Sequence, residues 1–162
     1  MWQKLRGRPA FALLAVGCLG LVGTGMVIQD LDNLQPCPLC IFQRLLYLVI
    51  ALWALLGLVL PRAHRLALVL TGLTALGGLA TAGYQTWLQW VNDPALECSY
   101  TNPNLIERLV DWLGTRFPSL FLATGFCSSR DWTLFDLSMA NWSLICFGAI
   151  VGWLWVIGKG RR

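Results

Sequence analysis

The stretch PCPLCIFQRLLYLVIALWALLGLVL, residues 36–60, sets a Cys-x-x-Cys pair between and after two prolines and then runs into apolar residues from about Ile41 to Leu60. About 20 predominantly apolar residues is the length that crosses the hydrocarbon core of a bilayer as a helix. Three further runs have this character, Pro9–Ile28, Leu66–Leu88 and Trp142–Gly158. Only 12% of the residues are charged, 57% are hydrophobic and the mean hydropathy is +0.62. A soluble domain carries about a quarter charged residues. The sequence therefore predicts an all-α integral membrane protein. Its four-transmembrane-helix bundle spans about 9–28, 41–60, 66–88 and 142–158 within a single domain, 1–162. A short outer loop is expected at about 29–40 and a long one at about 91–141. The first apolar core exceeds the 7–15 residues usual for a secretory signal, so it reads as a retained helix.

Charge orients the bundle. Lys4, Arg6 and Arg8 precede the first span, Arg62 and Arg65 separate the second and third, and Lys159, Arg161 and Arg162 follow the fourth. These are eight of the 12 basic residues. All eight acids, Asp30, Asp32, Asp93, Glu97, Glu107, Asp111, Asp131 and Asp136, fall in the other two connections. Basic loops stay cytoplasmic. Both termini and the 61–65 loop are expected in the cytoplasm, and the other two loops outside it. The net charge of +4 thus reflects topology and calls for no nucleic acid.

The six cysteines divide along the same line. Cys18 and Cys146 lie inside predicted helices, where small buried side chains fill space. Cys37 and Cys40 stand at the outer end of the second span, and Cys98 and Cys127 in the long outer loop. All four extramembrane cysteines thus fall on the side where disulfides persist. They admit three readings. A structural staple closing a loop of about 30 residues is worth a few kcal/mol. A zinc site prefers two close pairs, whereas the second pair here is widely separated and the single histidine, His64, is predicted on the opposite side. A haem attachment needs histidine directly after the pair, where Ile41 stands. A dithiol/disulfide redox couple suits the pair best. Near a helix start the unpaired N–H groups and the dipole favour the thiolate, which is the attacking species. Prolines are tolerated there. Arg44 lies four residues after Cys40 on the same helix face. It suits either a thiolate-stabilising cation or a snorkelling helix-end arginine.

The PCPLCIFQR run, the ATGFCSSRDW segment around Cys127, the position of Cys98 and the four spans together resemble the disulfide bond formation protein B (DsbB) family over nearly the whole chain. The resemblance implies a membrane oxidoreductase that reoxidises a periplasmic DsbA-like thioredoxin-fold protein. Two electrons would pass to a membrane quinone, ubiquinone or menaquinone, with no metal. The site would lie at the outer face of a bacterial inner membrane. It further implies that the partner attacks a Cys98–Cys127 disulfide at Cys98. A transient Cys37–Cys127 bond would then form, leaving Cys40 as a thiolate facing the quinone, with Arg44 supporting both. Gln85 and Gln89 fall where the family places quinone-pocket residues, although histidine would be expected at the Gln85 position. Polar residues in a membrane helix suggest function; interhelical hydrogen bonding is the alternative.

Other features are consistent with this placement. The 104–124 stretch is amphipathic, with Leu105, Ile106, Leu109, Trp112 and Leu113 among Glu107, Arg108 and Asp111. Such a segment can lie on a membrane surface or form an ordinary solvated helix. Trp87, Trp90, Trp132 and Trp142 near the outer ends, and Trp153 and Trp155 near the inner one, fit interfacial belts. Rival readings are a specialised relative with a dedicated thioredoxin-like partner and a vitamin K epoxide reductase relative, in which the Cys-x-x-Cys is expected late in the chain. A third is a structural membrane protein with stapling disulfides, which leaves Arg44 and the Pro-Cys-Pro entry without a task.

Overall fold

The structure is a computed structural model that describes residues 2–91 and 103–159. Four long helices dominate: α1 (Trp2–Leu31), α2 (Pro38–Val59), α3 (His64–Val91) and α6 (Met139–Lys159). Each is long and apolar enough to cross a membrane. Between α3 and α6 lie α4 (Leu105–Arg116), the single turn α5 (Pro118–Phe121) and a short antiparallel hairpin, β1 (Thr133–Leu134) with β2 (Leu137–Ser138). The hairpin is the one departure from an all-helical chain among the described residues. Its two turn residues, Phe135 and Asp136, take φ values of 54° and 60°. That is the left-handed conformation a type I′ hairpin turn demands at both central positions.

Helix α2 sits in the middle, packed on both α1 and α3, and α3 packs in turn on α6. The shared core contains Phe11, Cys18, Tyr47, Ile50, Ala54, Ala75, Ala82 and Phe147. Small residues let the backbones approach, as membrane helices require where no hydrophobic drive separates lipid from neighbour. At Gly78 a Cβ would overlap the Phe147 ring, which stacks on Tyr47 at 4.2 Å and 5°. Tyr47 also donates its hydroxyl to the Ser143 carbonyl at 3.3 Å, and Thr86 donates to Asn141 Oδ1 at 3.0 Å. Polar contacts of this kind fix the register of packed membrane helices. The outward faces carry Leu13, Val16, Leu52, Leu55, Val69, Leu73 and Leu76, all exposed. Such an apolar girdle is stable against lipid and not against water.

Local signals set the helix ends that matter for the site. Helix α1 closes on Asn33 at φ 49°, with the Leu34 N–H bonded to the Gln29 carbonyl at 3.0 Å. This six-to-one bond is a Schellman closure, and asparagine is the residue besides glycine that tolerates its left-handed position. Helix α4 starts at Asn104, whose side chain accepts from Ile106 and Glu107 while Glu107 accepts from the Asn104 N–H. That reciprocal capping box satisfies otherwise orphaned donors. Helix α4 lies on α2 through Val110 and Ile106. The amphipathic stretch therefore splits its apolar residues over two faces. Leu105, Leu109 and Trp112 point away from the bundle.

Candidate functional site

The Cys-x-x-Cys pair is built by the entry into α2. Cys37 is the N-cap, extended at φ −82° and ψ 162°, with Pro38 following at the start of the helix. The Cys37 sulfur accepts the Cys40 N–H at 3.3 Å, so it fills the capping role more often taken by a serine oxygen. Its own S–H points to the Cys40 sulfur, 3.0 Å away. Closing that gap to a disulfide bond, about 2.05 Å, needs a movement of roughly one ångström. Burial pushes the Cys37 thiol up from its ordinary range, and the hydrogen bond to Cys40 adds to the effect.

Helix α3 completes the pair's surroundings. Gln85 is buried and its Nε2 donates to both sulfurs, at 3.2 Å to Cys37 and 3.0 Å to Cys40. Its Oε1 accepts from Gln43 Nε2 at 2.7 Å. Both amide protons of Gln85 are thus spent on sulfur. Hydrogen bonds to an ionised acceptor are worth about twice those to a neutral one, so the arrangement favours a thiolate over a thiol. Gln89, one turn further on, serves another purpose. It donates to the Ser129 carbonyl at 3.0 Å and accepts from the Ser138 hydroxyl at 2.6 Å, tying the loop and the hairpin to α3.

Arg44 is held on two sides. One guanidinium nitrogen donates to the Leu120 carbonyl in α5 at 2.7 Å and the other to Gln29 Oε1 in α1 at 2.8 Å. It interacts electrostatically with the Cys40 sulfur and with Asp30. A free snorkelling arginine would not be pinned between two elements.

The long connection returns to the pair at one point. The N–H groups of Thr124 and Gly125 both donate to the Pro36 carbonyl, at 3.0 and 3.1 Å. At Gly125 a Cβ would overlap the Gln35 carbonyl oxygen, so the approach of the two backbones requires glycine. Two residues later Cys127 is fully buried and disulfide-bonded. It shares a buried cluster with Cys37, Leu39 and Leu88, against which Cys40 and Ile106 pack. Cys98 lies outside the described residues.

A cavity of about 350 Å³ opens beside the pair. Both sulfurs, Gln43, Arg44, Gln85 and Gln89 line it, with apolar walls from Val22, Ile28, Met139 and Trp142. A mostly apolar slot with a few convergent polar groups suits a flat hydrophobic ligand with acceptor atoms at its rim. Among the described residues no group of three or more histidines, cysteines or acids could hold a metal ion.

The site thus brings together Cys37, Cys40, Arg44 and Gln85, with Cys127 adjacent and Gln89 bracing the loop. Sequence reasoning passed over Gln43, Gln29 and the Pro36 carbonyl. An amide three residues after Cys40, inside an apolar run, was the available signal for Gln43. Nothing local marks the other two.

Residues 7–157 match the family described as disulfide bond formation protein DsbB. The chain is 56% identical over 151 residues to a disulfide bond formation protein B from Dechloromonas aromatica (strain RCB), covering 93% of this chain and 92% of that one. Identity is 37% over 159 residues to the protein of that name from Azoarcus sp. (strain BH72), covering 96% and 94% of the two chains. It is 40% over 143 residues to that of Aromatoleum aromaticum, covering 86% and 84%.

Proposed function

We propose that this chain, which belongs to the disulfide bond formation protein DsbB family, is a quinone-linked thiol oxidase that reoxidises a periplasmic DsbA-type partner. The observation that carries the reading is the placement of one cysteine pair between two environments. Cys37 shares a buried cluster with the disulfide-bonded Cys127, and both Cys37 and Cys40 line an apolar cavity with Arg44 at its wall. The charge asymmetry supports cytoplasmic termini and a periplasmic cysteine end, in keeping with a bacterial inner-membrane protein.

The electrons move in two balanced exchanges. A partner thiolate attacks the Cys98–Cys127 disulfide at Cys98, and the partner leaves as a disulfide, having reduced the loop pair to two thiols. The freed Cys127 thiolate then attacks Cys37, displacing Cys40 as the leaving thiolate, and Cys98 resolves the Cys37–Cys127 bond. Exchange is fastest when the leaving sulfur is a stabilised thiolate. Gln85 and Arg44 supply that stabilisation at Cys40. Arg44 and the polar rim would orient a ubiquinone or menaquinone in the cavity, and the apolar walls would hold its ring and exclude water. Such a quinone would supply the acceptor for the two electrons and two protons released as Cys37 and Cys40 return to the disulfide.

The test is a single turnover in detergent with reduced DsbA-type partner, with and without added ubiquinone. Equal loss of partner thiols and of oxidised quinone supports the assignment. Thiol loss that stops at the number of preformed disulfides, with quinone untouched, refutes it. Arg44→Ala is expected to raise the quinone KM about tenfold, the scale of a lost hydrogen bond from a charged donor, and to move the partner KM little. Steady-state titration of each substrate checks it, and an unchanged quinone KM would return Arg44 to a purely structural tie between α1, α2 and α5.

A further inference from the structure

Gln85 can help a thiolate only in one of its two amide orientations. With Nε2 toward the sulfurs it donates to both. Turned over, it would present Oε1, whose lone pairs repel a thiolate. The two orientations differ little in shape, so the choice rests on what the far side of the amide meets. That side meets Gln43. Gln43 is buried, and its Nε2 donates to Gln85 Oε1 at 2.7 Å. Both residues lie in the low-dielectric interior, where a mispaired amide is costly. Gln43 also stands one turn from Cys40 on α2, so the same helix that carries the sulfurs carries the residue that aims their donor.

We propose that Gln43 is a positioning residue, which holds the Gln85 amide with its N–H groups toward Cys37 and Cys40 and thereby makes the Cys37–Cys40 couple more oxidising. It acts through Gln85, to which its amide N–H donates. Hydrogen bonds to the thiolate stabilise the reduced pair, so their loss shifts the couple toward the disulfide. This rests on the reading of Cys37 and Cys40 as a redox couple.

The experiment equilibrates the full-length membrane protein, in detergent, with glutathione buffers. Alkylation and peptide mass mapping then resolve Cys37 and Cys40 from the other cysteines. The variants are Gln43→Met, Gln85→Met and the double variant, since methionine keeps the length of the side chain and removes the amide. The dithiol-to-disulfide ratio at fixed buffer should fall about tenfold or more in Gln85→Met, the scale of hydrogen bonds to a charged group. It should fall about threefold or more in Gln43→Met, part of that same loss. The double variant should match Gln85→Met within about twofold, because coupled residues do not add. An unchanged ratio in Gln43→Met overturns the proposal. So does a drop of the same factor when Gln43→Met is added to Gln85→Met, since Gln43 would then act independently. A wild-type pair that never interconverts with glutathione overturns the redox reading itself, and this proposal with it.

Discussion

Cys40→Ser is expected to abolish quinone reduction and to accumulate a Cys37–Cys127 disulfide, formed by exchange of the Cys37 thiol into the Cys98–Cys127 bond with release of Cys98 as a thiol. The hydroxyl cannot form the disulfide that two-electron transfer requires, so the loss of turnover is complete. The starting state matters here. In this variant Cys37 has lost the neighbour 3.0 Å away, and it shares its buried cluster with Cys127. The Cys37 thiolate can then attack Cys127 of the loop disulfide, releasing Cys98 as the leaving thiolate, and no Cys40 thiolate is present to displace Cys127 again. Cys37→Ser should be equally inactive but should form no such species, because the sulfur that meets the loop is gone. It should also stay folded, since serine is among the preferred N-cap residues and can accept the N–H that Cys37 accepts now. Non-reducing peptide mapping of both variants decides the matter. A disulfide through residue 37 in the first and none in the second is the expected pattern. Full turnover in either would remove the redox assignment.

The second large effect is expected at Gly125. Thr124 and Gly125 clamp the loop on the Pro36 carbonyl, and the methyl of an alanine would overlap the Gln35 carbonyl oxygen. The Cβ is fixed rigidly to the loop backbone and the oxygen it meets is backbone at the proline-rich entry to α2, so the loop must lift. Cys127, two residues on, would move with it. A misplacement of about 1 Å between reacting groups costs about 10²-fold in rate. Gly125→Ala should therefore slow transfer from the loop pair to Cys37–Cys40 by about that factor. The first exchange with the partner should proceed at its normal rate. Rapid mixing with one equivalent of reduced partner, quenched by alkylation at intervals, separates the two steps. An unchanged second step would mean that Cys127 reaches Cys37 without the clamp.

These predictions draw on different depths of the sequence. The four helices were legible because each is a property of a contiguous run. Apolar length, basic flanks and the prolines before α2 are all local, and the bilayer imposes helical closure of the backbone hydrogen bonds on any such run. The adjacency of Cys37 and Cys40 was legible for the same reason. Cys37, Cys40 and Arg44 lie within eight residues of one helix start, and their common face follows from helical spacing alone.

The tasks of the two glutamines on α3 were not legible in this way. Gln85 and Gln89 share a face, and spacing assigns them alike. Yet Gln85 turns its amide onto two sulfurs 45 and 48 residues away in sequence, while Gln89 braces Ser129 and Ser138. The rotation of α3 against α2 decides which amide meets the cysteines. That rotation is set by packing such as Phe147 against Gly78 and Tyr47. Gln43 belongs to the same class, as an amide whose meaning depends on what α3 places opposite it. The clamp on Pro36 is less legible still, because a backbone carbonyl carries no sequence signature. So the sequence by itself determined the membrane helices and the grouping of Cys37, Cys40 and Arg44 at the head of α2. The tertiary structure decided which donors reach the sulfurs and where the loop returns. Hydrogen bonds between distant segments depend on helix rotation and backbone approach, and neither is encoded within any single run.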